Sequence, residues 1–374
     1  MRRFFLMLPL VLLPGFATLA QDTGSQLDSI FASMAADLQF NGVVLVAEGE
    51  EVLFENGYGL ANREWEIPNT PETRFDIASI SKQFTAALVL QLEAEGKLNL
   101  QDPLAKHLPW YRQDVGRQVT LFHLLTHRSG IPNYTSLPGV WQDSLRNHYR
   151  LPELIEKFCS GDPEFLPGSQ YSYNNSGYVL LAAVIESVTG KKFEQVIRQR
   201  LLEPAGMRDS GVDSREEIIL RRAGGYAVSA GKYQNANYTY MQNLAGAGNM
   251  YATAADLHRW DMALRQNKVL KPYSIEKMQK AVSFGNNWIT PWKNGYGLGV
   301  GLAKAQVDEG GKKQVVFHSG HISGFSGFFC RLPERGQVVV LLSNTGSVGT
   351  PEMYHYCLKA LRVLNQPRKG TTGK

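Results

Sequence analysis

Ser79 and Lys82 are the residues of this sequence whose types and spacing most favour nucleophilic chemistry. Residues three apart on a helix share one face, so the serine hydroxyl and the lysine amine can meet there. A lysine that has lost its proton can accept the proton of a serine hydroxyl and so activate the oxygen. An apolar helix is predicted to begin at this pair, and its first N–H groups could bind an oxyanion.

The same spacing of serine and lysine occurs twice more, so the pair is a weak signal by itself. Ser229 and Lys232 lie in a loop segment rich in Gly and Asn, where no helix would hold the two side chains together. Ser274 and Lys277 lie at the start of a predicted helix, where the serine is expected to act as the N-cap. An N-cap role is also the alternative interpretation of Ser79.

Two further short motifs carry polar groups that a serine nucleophile could use. Tyr173 could relay a proton to or from a lysine, and the amide of Asn175 could hold a substrate carbonyl. His318 and Gly320 stand at the end of a predicted apolar strand, where a glycine allows a ligand to approach the backbone. The alternatives are a surface tyrosine at 173 and a packed or solvent-facing histidine at 318.

Several other kinds of site find no support in the sequence. It contains no GxSxG, HExxH, P-loop or GxGxxG motif, and the alternating glycines of 295–301 fit one strand with a bare face. Cys159, Cys330 and Cys357 lack metal-ligand spacing, and we interpret them as small buried hydrophobic residues. We therefore expect no metal and no organic cofactor.

Strand-like segments at both ends of the chain enclose a largely helical middle. The predicted fold class is α+β with α/β/α layers: an antiparallel sheet built from N- and C-terminal strands, flanked by the terminal helices, with a large, mostly helical inserted region. The predicted strands are Val43–Ala47, Val52–Phe54, Gln314–His318, Gly327–Leu332 and Gln337–Leu342, and the predicted helices are Gln26–Asp37, Ser81–Glu95, Gln118–Thr126, Leu151–Phe158, Gly177–Val188, Phe193–Leu202, Thr253–Leu264 and Pro351–Leu364.

Composition and the N-terminal residues indicate where the protein works. The chain has 374 residues, 43% of them hydrophobic, so it can bury a large core. Its net charge of +5 is too mild to indicate nucleic acid binding. Arg2 and Arg3 precede an apolar run, which is typical of a cleaved secretory signal peptide, and no later stretch is long enough to span a membrane. We expect an exported protein, periplasmic or secreted, with a signal peptide over 1–20 and one catalytic domain over 21–374. The sheet region of this domain is expected to cover about 26–75 and 295–365. Its helical region is expected to cover about 76–270.

Taken together, the motifs resemble those of the serine β-lactamase-related, penicillin-recognising hydrolases. This family includes class C β-lactamases, D,D-peptidases, D-aminopeptidases and family VIII esterases, which share a β-lactamase/transpeptidase-like fold. The three motifs occur in the order of the family, and the likeness extends over about residues 26–365. It includes the flanking segments Thr73–Ala78, Gln83–Ala86, Leu124–Ile131 and Tyr296–Gly299.

The resemblance implies a role for each motif residue. Ser79 would be the nucleophile that forms an acyl-enzyme, and Lys82, alone or with Tyr173, would be the base. Asn175 would position the substrate. The remaining implied roles belong to one strand end: His318 would line the pocket, Gly320 would allow close approach, and the backbone N–H of His321 would complete the oxyanion hole with that of Ser79. His127 would be structural.

The third motif departs from that of the β-lactamases. Those enzymes carry Lys-Thr-Gly or Lys-Ser-Gly, whereas this chain has His318-Ser319-Gly320 and no Lys-[Ser/Thr]-Gly anywhere. A histidine with an ordinary pKa is mostly neutral at pH 7 to 8, so a substrate carboxylate would be held less tightly. We expect His318 to become charged near pH 5.5 and to favour carboxylate-bearing substrates there.

The leading hypothesis is an exported serine hydrolase that acts through an acyl-enzyme on an ester or an amide, either short esters or D-amino-acid peptides. One alternative is a true β-lactamase. Another, of a different class, is a penicillin-binding sensor or scaffold that does not turn over. The expected partner is a small-molecule or peptide substrate. The pocket is expected to be shaped by loops around Tyr111, Trp141 and Trp288–Trp292, and the sequence does not indicate an oligomeric state.

Overall fold

A computed structural model describes residues 14–214, 216–284 and 295–366. The strands are β1 (Gly42–Glu48), β2 (Glu51–Tyr58), β3 (Leu60–Asn62), β4 (Ile67–Pro68), β5 (Phe75–Asp76), β6 (Gly211–Val212), β7 (Tyr226–Ser229), β8 (Lys232–Asn235), β9 (Met250–Ala252), β10 (Ser283–Phe284), β11 (Gly295–Tyr296), β12 (Gly301–Gln306), β13 (Lys312–Ile322), β14 (Phe325–Leu332) and β15 (Gln337–Ser343). The α-helices are α1 (Pro14–Leu38), α2 (Lys82–Ala94), α3 (Leu104–His107), α4 (Gln113–Gly116), α5 (Leu121–Leu125), α6 (Leu151–Phe158), α7 (Asn175–Thr189), α8 (Phe193–Ile197), α9 (Glu203–Ala205), α10 (Ala254–Arg265), α11 (Pro272–Met278) and α12 (Thr350–Leu364).

The main sheet joins the two ends of the chain. Its eight strands run in the order β10-β11-β12-β13-β14-β15-β1-β2, and all neighbours are antiparallel. The β1–β2 hairpin attaches to the last strand, with Val43 opposite Leu342 and Val46 opposite Val339. The predicted sheet assembled from both termini is confirmed.

Helices cover both faces of this sheet because its central strands are apolar on both sides. In β1, Val44 and Val46 face a core formed with α1 and α12, while Val43 and Leu45 face the larger core under the helical region. This alternation follows from the two-residue period of a strand. The predicted layered α+β class is therefore confirmed.

The central helices pack around α2 and α7, whose residues are buried for most of their length. A small three-stranded sheet, β5-β9-β6, lies in the same region. In β5, Phe75 and Asp76 pair with Ala252 and Tyr251 of β9. This pairing fixes the chain just before Ser79.

The sequence-based assignments of residues 295–301 and of Ser274 are wrong. Residues 295–301 do not form one strand: β11 and β12 are separated by a turn in which Gly299 has φ +73°. A side chain at that φ would be strained, so this glycine ends one strand and allows the next to begin. Ser274 is not an N-cap, because Lys271 occupies that position and Ser274 lies buried inside α11.

The predicted signal peptide lies mostly outside the described residues, and only 14–20 fall within α1. None of the helices in the described part of the chain is both long and apolar enough to cross a membrane.

Candidate active site

Ser79 lies on a tight turn between β5 and α2. A short 3₁₀ helix spans Ala78–Ser81, and the N–H of Ile77 donates to the Met250 carbonyl oxygen at 2.9 Å. Ala78 has φ +46°, a left-handed conformation that costs of order 1 kcal/mol or more in a residue with a side chain. Ala78 and Ile80 are buried while Ser79 is partly exposed, so this turn presents the serine at the surface of the core.

Lys82 begins α2 one turn after the serine. Its Nζ atom lies 3.0 Å from Ser79 Oγ, 2.7 Å from Asn175 Oδ1 and 2.7 Å from the Ala247 carbonyl oxygen. The amide and carbonyl oxygens can only accept hydrogen bonds. A neutral amine has two hydrogens and one lone pair. It would therefore donate to Asn175 and Ala247 and accept the hydroxyl hydrogen of Ser79.

The surroundings of Lys82 favour this neutral form. The side chain is fully buried, and no ion pair among the described residues includes it. Burial without a compensating negative charge lowers the pKa of Lys82 well below its usual value near 10.5. The amine beside Ser79 is therefore suited to accept a proton.

Tyr173 lies on the other side of the serine. Its hydroxyl hydrogen-bonds to Ser79, and its ring centroid is 4.9 Å from Lys82 Nζ. Burial raises the pKa of the Tyr173 hydroxyl well above its usual value of 10. The phenol therefore keeps its proton, which suits a proton donor or relay better than a base.

Asn175 opens α7, and the preceding Asn174 caps that helix by accepting the N–H of Gly177 at 2.8 Å. Asn175 Oδ1 accepts from Lys82, and its Nδ2 donates to Thr135 Oγ1 at 2.8 Å. Both ends of the amide are thus engaged inside the protein. The structure places Asn175 at the site, while the substrate contact expected from the sequence stays a prediction.

His318 is fully buried in β13. Its Nδ1 lies 2.6 Å from the Ser319 carbonyl oxygen, and its Nε2 lies 3.0 Å from the Tyr296 hydroxyl. Nδ1 therefore carries the hydrogen, and Nε2 accepts from the tyrosine. Burial, together with the nearby Lys82, lowers the pKa of His318 to about 3. The expectation that His318 is charged near pH 5.5 is wrong. The buried imidazolium would lack the hydration that stabilises its charge in water, so the neutral form persists at that pH.

Gly320 is where β13 passes closest to the turn of Ser79. A Cβ atom at this position would overlap the Ile77 carbonyl oxygen and lie 3.2 Å from Ala78 Cβ. The backbone around Gly320, including the amide of His321, can lie beside the turn only because no side chain intervenes. Beyond Phe317, which pairs with Gly301, β13 has no partner on the β12 side among the described residues.

The side chain of His321 has a structural role. Its Nε2 lies 2.9 Å from the Val348 carbonyl oxygen, which ties β13 to the loop before α12. Burial lowers the pKa of this imidazole below 6.5. Only its backbone remains a candidate for contact with substrate.

The sequence did not predict several residues of the site. Ala247 and Thr135 are distant in sequence from the residues that they contact, and neither lies in a chemical motif. Tyr296 belongs to a segment that matched the family pattern, which was its only signal. His127 was assigned a structural role, yet its ring lies 4.3 Å from that of Tyr173.

The other serine and lysine pairs do not form a comparable site. Ser229 and Lys232 pair across the turn of the β7–β8 hairpin, where the sequence suggested a loop. The Ser274 hydroxyl is buried with no hydrogen-bond partner among the described residues. Tyr111 does not shape an open pocket, because it is buried and donates to the Cys159 carbonyl oxygen. The segment Trp288–Trp292 lies outside the described residues.

In the described part of the chain, no group of three or more His, Cys, Asp or Glu side chains is arranged so that it could bind a metal ion. The three cysteines are buried and form no disulfide. The contacts of Ser79, Lys82 and Tyr173 are compatible with acyl transfer by Ser79, with Lys82 and Tyr173 to move protons.

Comparison with known proteins gives consistent matches. A family model described as Beta-lactamase matches residues 27–361. Penicillin-binding protein 4* of Bacillus subtilis (strain 168) is 31% identical over 339 residues, which cover 87% of this chain and 72% of that protein. A teichoic acid D-alanine hydrolase of Staphylococcus aureus is 30% identical over 62% of this chain and 56% of its own length. The crystal structure of a D-amino acid amidase from Ochrobactrum anthropi SV3 has a TM-score of 0.79 and 25% identity, and the match covers 92% of this chain and 98% of the amidase.

Proposed function

Because this chain belongs to the β-lactamase family of serine hydrolases, we propose that Ser79 attacks the carbonyl of an ester or amide and forms an acyl-enzyme. The observation that carries this proposal is the set of contacts of Lys82. A fully buried amine, bonded to two acceptors and lacking an acidic partner among the described residues, lies 3.0 Å from a partly exposed serine hydroxyl. A role as general base explains why a lysine without an ion-pair partner among the described residues is fully buried here.

In the proposed acylation, the lone pair of Lys82 Nζ takes the Ser79 proton while Oγ bonds to the substrate carbonyl carbon. The carbonyl oxygen becomes an oxyanion, which the backbone N–H groups of Ser79 and His321 stabilise. The bond to the leaving group then breaks, and Tyr173 donates its proton to the departing oxygen or nitrogen. The Lys82 ammonium returns a proton to Tyr173, which restores both groups.

Deacylation repeats these steps with water as the nucleophile. Lys82, neutral again, accepts a proton from a water molecule, the resulting hydroxide attacks the acyl carbonyl, and Ser79 leaves with the proton returned to its oxygen. In this proposal Asn175 keeps Lys82 in place through both half-reactions. An additional contact of Asn175 with substrate would use the second hydrogen of its Nδ2, because only one is donated to Thr135.

We propose an uncharged ester or an amide of a D-amino acid as the substrate class. Support comes from two relatives, a D-amino acid amidase and a teichoic acid D-alanine hydrolase. The neutral His318 adds to it, because the described groups nearest Ser79 carry no permanent positive charge to attract a carboxylate. β-Lactams and peptides ending in D-alanine carry such a carboxylate beside the scissile bond and are expected to be poorer substrates.

Export is also a proposal. It rests on the arginines and the apolar run within the first 20 residues, which fit a cleaved signal peptide. The N-terminal sequence of the mature protein, recovered from the culture medium or periplasm of the source organism, would test it: a start near Gln21 is expected.

The experiment that tests the function is a turnover panel on the purified protein. The substrates are a p-nitrophenyl ester, the amides of D- and L-alanine, and a chromogenic cephalosporin. We expect the ester and the D-amide to turn over, the L-amide to react at least about tenfold more slowly, and Ser79→Ala to abolish all activity. Ser229→Ala, which alters an equally spaced serine on a hairpin, is the matched control and should retain wild-type rates.

Each other outcome of the panel points to a different function. A cephalosporin that turns over faster than the ester and the D-amide would favour a true β-lactamase. Labelling of one serine per chain without turnover of any substrate would favour a sensor. Activity that survives Ser79→Ala would contradict the proposed nucleophile.

A further inference from the structure

One buried histidine holds the backbone on both sides of Tyr173. The carbonyl oxygen of His127 accepts the N–H of Ser172 at 2.9 Å, and its Nδ1 accepts the N–H of Asn174 at 3.0 Å. Tyr173 is the residue between these two donors. Its main chain is therefore fixed by a single residue from another part of the chain.

The imidazole of His127 also restrains the tyrosine ring. The two ring centroids are 4.3 Å apart with an angle of 41° between the planes. The rings of Tyr178 and Tyr296 lie 5.2 and 4.7 Å from the same imidazole, so His127 is the centre of an aromatic cluster behind Ser79. Tyr173 can therefore turn away from the serine only by disturbing this packing.

The hydrogen bond from Asn174 to His127 also affects the position of Lys82, through the first residues of α7. Asn174, whose N–H is held by His127, caps α7, and its Nδ2 donates to the Ile131 carbonyl oxygen. Asn175 is the next residue, and its Oδ1 accepts from Lys82. A displacement of Asn174 would therefore move the oxygen that holds the amine.

The backbone of His127 is itself unusual. Its φ of +57° lies in the left-handed region just after the end of α5, where Gly or Asn would be less strained. The residue is 1% exposed, and its Nε2 atom has no hydrogen-bond partner among the described residues. A structural histidine would ordinarily use both nitrogens, so the strained conformation is better explained by what Nδ1 and the ring hold in place.

We propose that His127 is a positioning residue of this site. It holds Tyr173 beside Ser79 and, through Asn174, it holds Asn175 beside Lys82. The inference rests on the proposed acyl transfer by Ser79. Nδ1 must be unprotonated to accept the Asn174 N–H, and the hydrogen of the neutral imidazole is then on Nε2. Burial holds the pKa of His127 well below 6.5, so the acceptor persists throughout the working pH range.

Two substitutions separate the acceptor from the bulk of the ring. His127→Asn places an oxygen near the position of Nδ1 and tolerates the left-handed backbone, whereas His127→Phe keeps a ring and removes the acceptor. His107→Phe is the matched control, because His107 is also buried but bonds to Asp102 in a different part of the fold. All variants are assayed as folded, full-length protein with a p-nitrophenyl ester.

We expect His127→Phe to lower kcat at least about tenfold relative to His127→Asn, with KM changed by less than about threefold in both. The acidic limb of the kcat profile should move to higher pH in the Phe variant alone, because a displaced Asn175 and Tyr173 admit water to Lys82 and raise its pKa. The other titratable groups that face Lys82, namely Tyr173, Tyr178 and His318, are unchanged in these variants. His107→Phe should reduce thermal stability without moving the limb.

The outcomes distinguish this inference from the function on which it rests. A wild-type protein without Ser79-dependent turnover would overturn both. If the wild type turns over but His127→Phe keeps the wild-type kcat, or if it does not shift the acidic limb, only the positioning role is overturned. A loss confined to stability in all three variants would likewise make His127 merely structural.

Discussion

Lys82 is the residue whose environment defines the proposed chemistry. Its side chain is fully buried, and its two hydrogen-bond acceptors match the two hydrogens of an uncharged amine. The guanidinium of an arginine keeps the charge but cannot lose its proton at any working pH. We therefore predict that Lys82→Arg lowers kcat/KM at least about 10²-fold for a neutral ester.

The control for this prediction is Lys232→Arg, in the exposed hairpin, which should leave kcat/KM unchanged. Circular dichroism must show that the Lys82 variant is folded. Near-wild-type turnover by folded Lys82→Arg would mean that the lysine acts only as a positive charge or as a structural partner.

A pH profile tests the two titratable groups separately. The pKa of Lys82 is lowered, so the fraction of active, neutral amine rises as the pH increases through that pKa and reaches its plateau below pH 10.5. His318, with a pKa of about 3, stays neutral throughout. We predict that kcat/KM for the ester rises with pH, while the ratio of cephalosporin to ester activity stays constant within about twofold from pH 5.5 to 8. A cephalosporin that gains at pH 5.5 would show that His318 does become protonated.

At this scale, the sequence predicts the residues that lie in short motifs. Ser79 and Lys82 meet because residues three apart share one face of either a 3₁₀ or an α-helical turn, and this follows from spacing alone. The Ala247 carbonyl oxygen cannot be predicted in this way, because it contacts Lys82 across 165 residues through its backbone. The charge of His318 cannot be predicted from its neighbours in sequence either, because its pKa depends on burial that only the folded chain creates.

At the scale of elements, the approach of β13 to the Ser79 turn depends on one glycine. A Cβ at Gly320 would overlap the Ile77 carbonyl oxygen, so Gly320→Ala must push the strand and the turn apart. We predict a loss of at least about 2 kcal/mol in the free energy of unfolding, since overpacked sites commonly lose 1–3 kcal/mol. Because the His321 amide moves with the strand, kcat should fall at least about tenfold.

Gly248→Ala provides the comparison for this change. Gly248 lies against the same turn, but a Cβ there would be 3.5 Å from the Ala78 carbonyl carbon, which is an ordinary contact. Urea unfolding and ester turnover should show it close to wild type. A Gly320→Ala enzyme as active as Gly248→Ala would contradict the role of β13 in the oxyanion hole.

Elements with a strong period were predicted well, and those set by tertiary packing were not. The apolar run within Gln337–Leu342 and the apolar face of Pro351–Leu364 lead directly to β15 and α12. The 3₁₀ turn before α2 and the break between β11 and β12 carry no periodic signal. They arise from close contacts of Ile77 with Gly320 and of Gly299 with Lys82, which a local pattern does not contain.

At the scale of the molecule, the sheet separates the layer of α1 and α12 from the layer that carries the proposed site. Phe31 of α1 and Phe84 of α2 are both fully buried, but in different cores on opposite faces. We predict that Phe31→Ala and Phe84→Ala each cost about 3–5 kcal/mol of unfolding free energy. Only Phe84→Ala should also lower kcat, because α2 carries Lys82, whereas α1 lies beyond the sheet.

Thermal unfolding and ester kinetics well below the melting temperature would measure the two effects separately. An equal fall in kcat for both variants would show that the layer of α1 and α12 also shapes the site. Neither core could be assigned to one face from the sequence alone, because β1 and β15 are apolar at consecutive positions over 43–47 and 338–342.

The central claim, acylation of Ser79 by a substrate carbonyl, is tested most directly by trapping the intermediate. The enzyme is incubated with an activated D-alanine ester, quenched in acid and digested, and the modified peptide is sequenced by mass spectrometry. We predict one added D-alanyl group, attached to Ser79, in the wild type and in Ser229→Ala, and none in Ser79→Ala. An acyl group on any other residue, or one that persists in Ser79→Ala, would contradict the account.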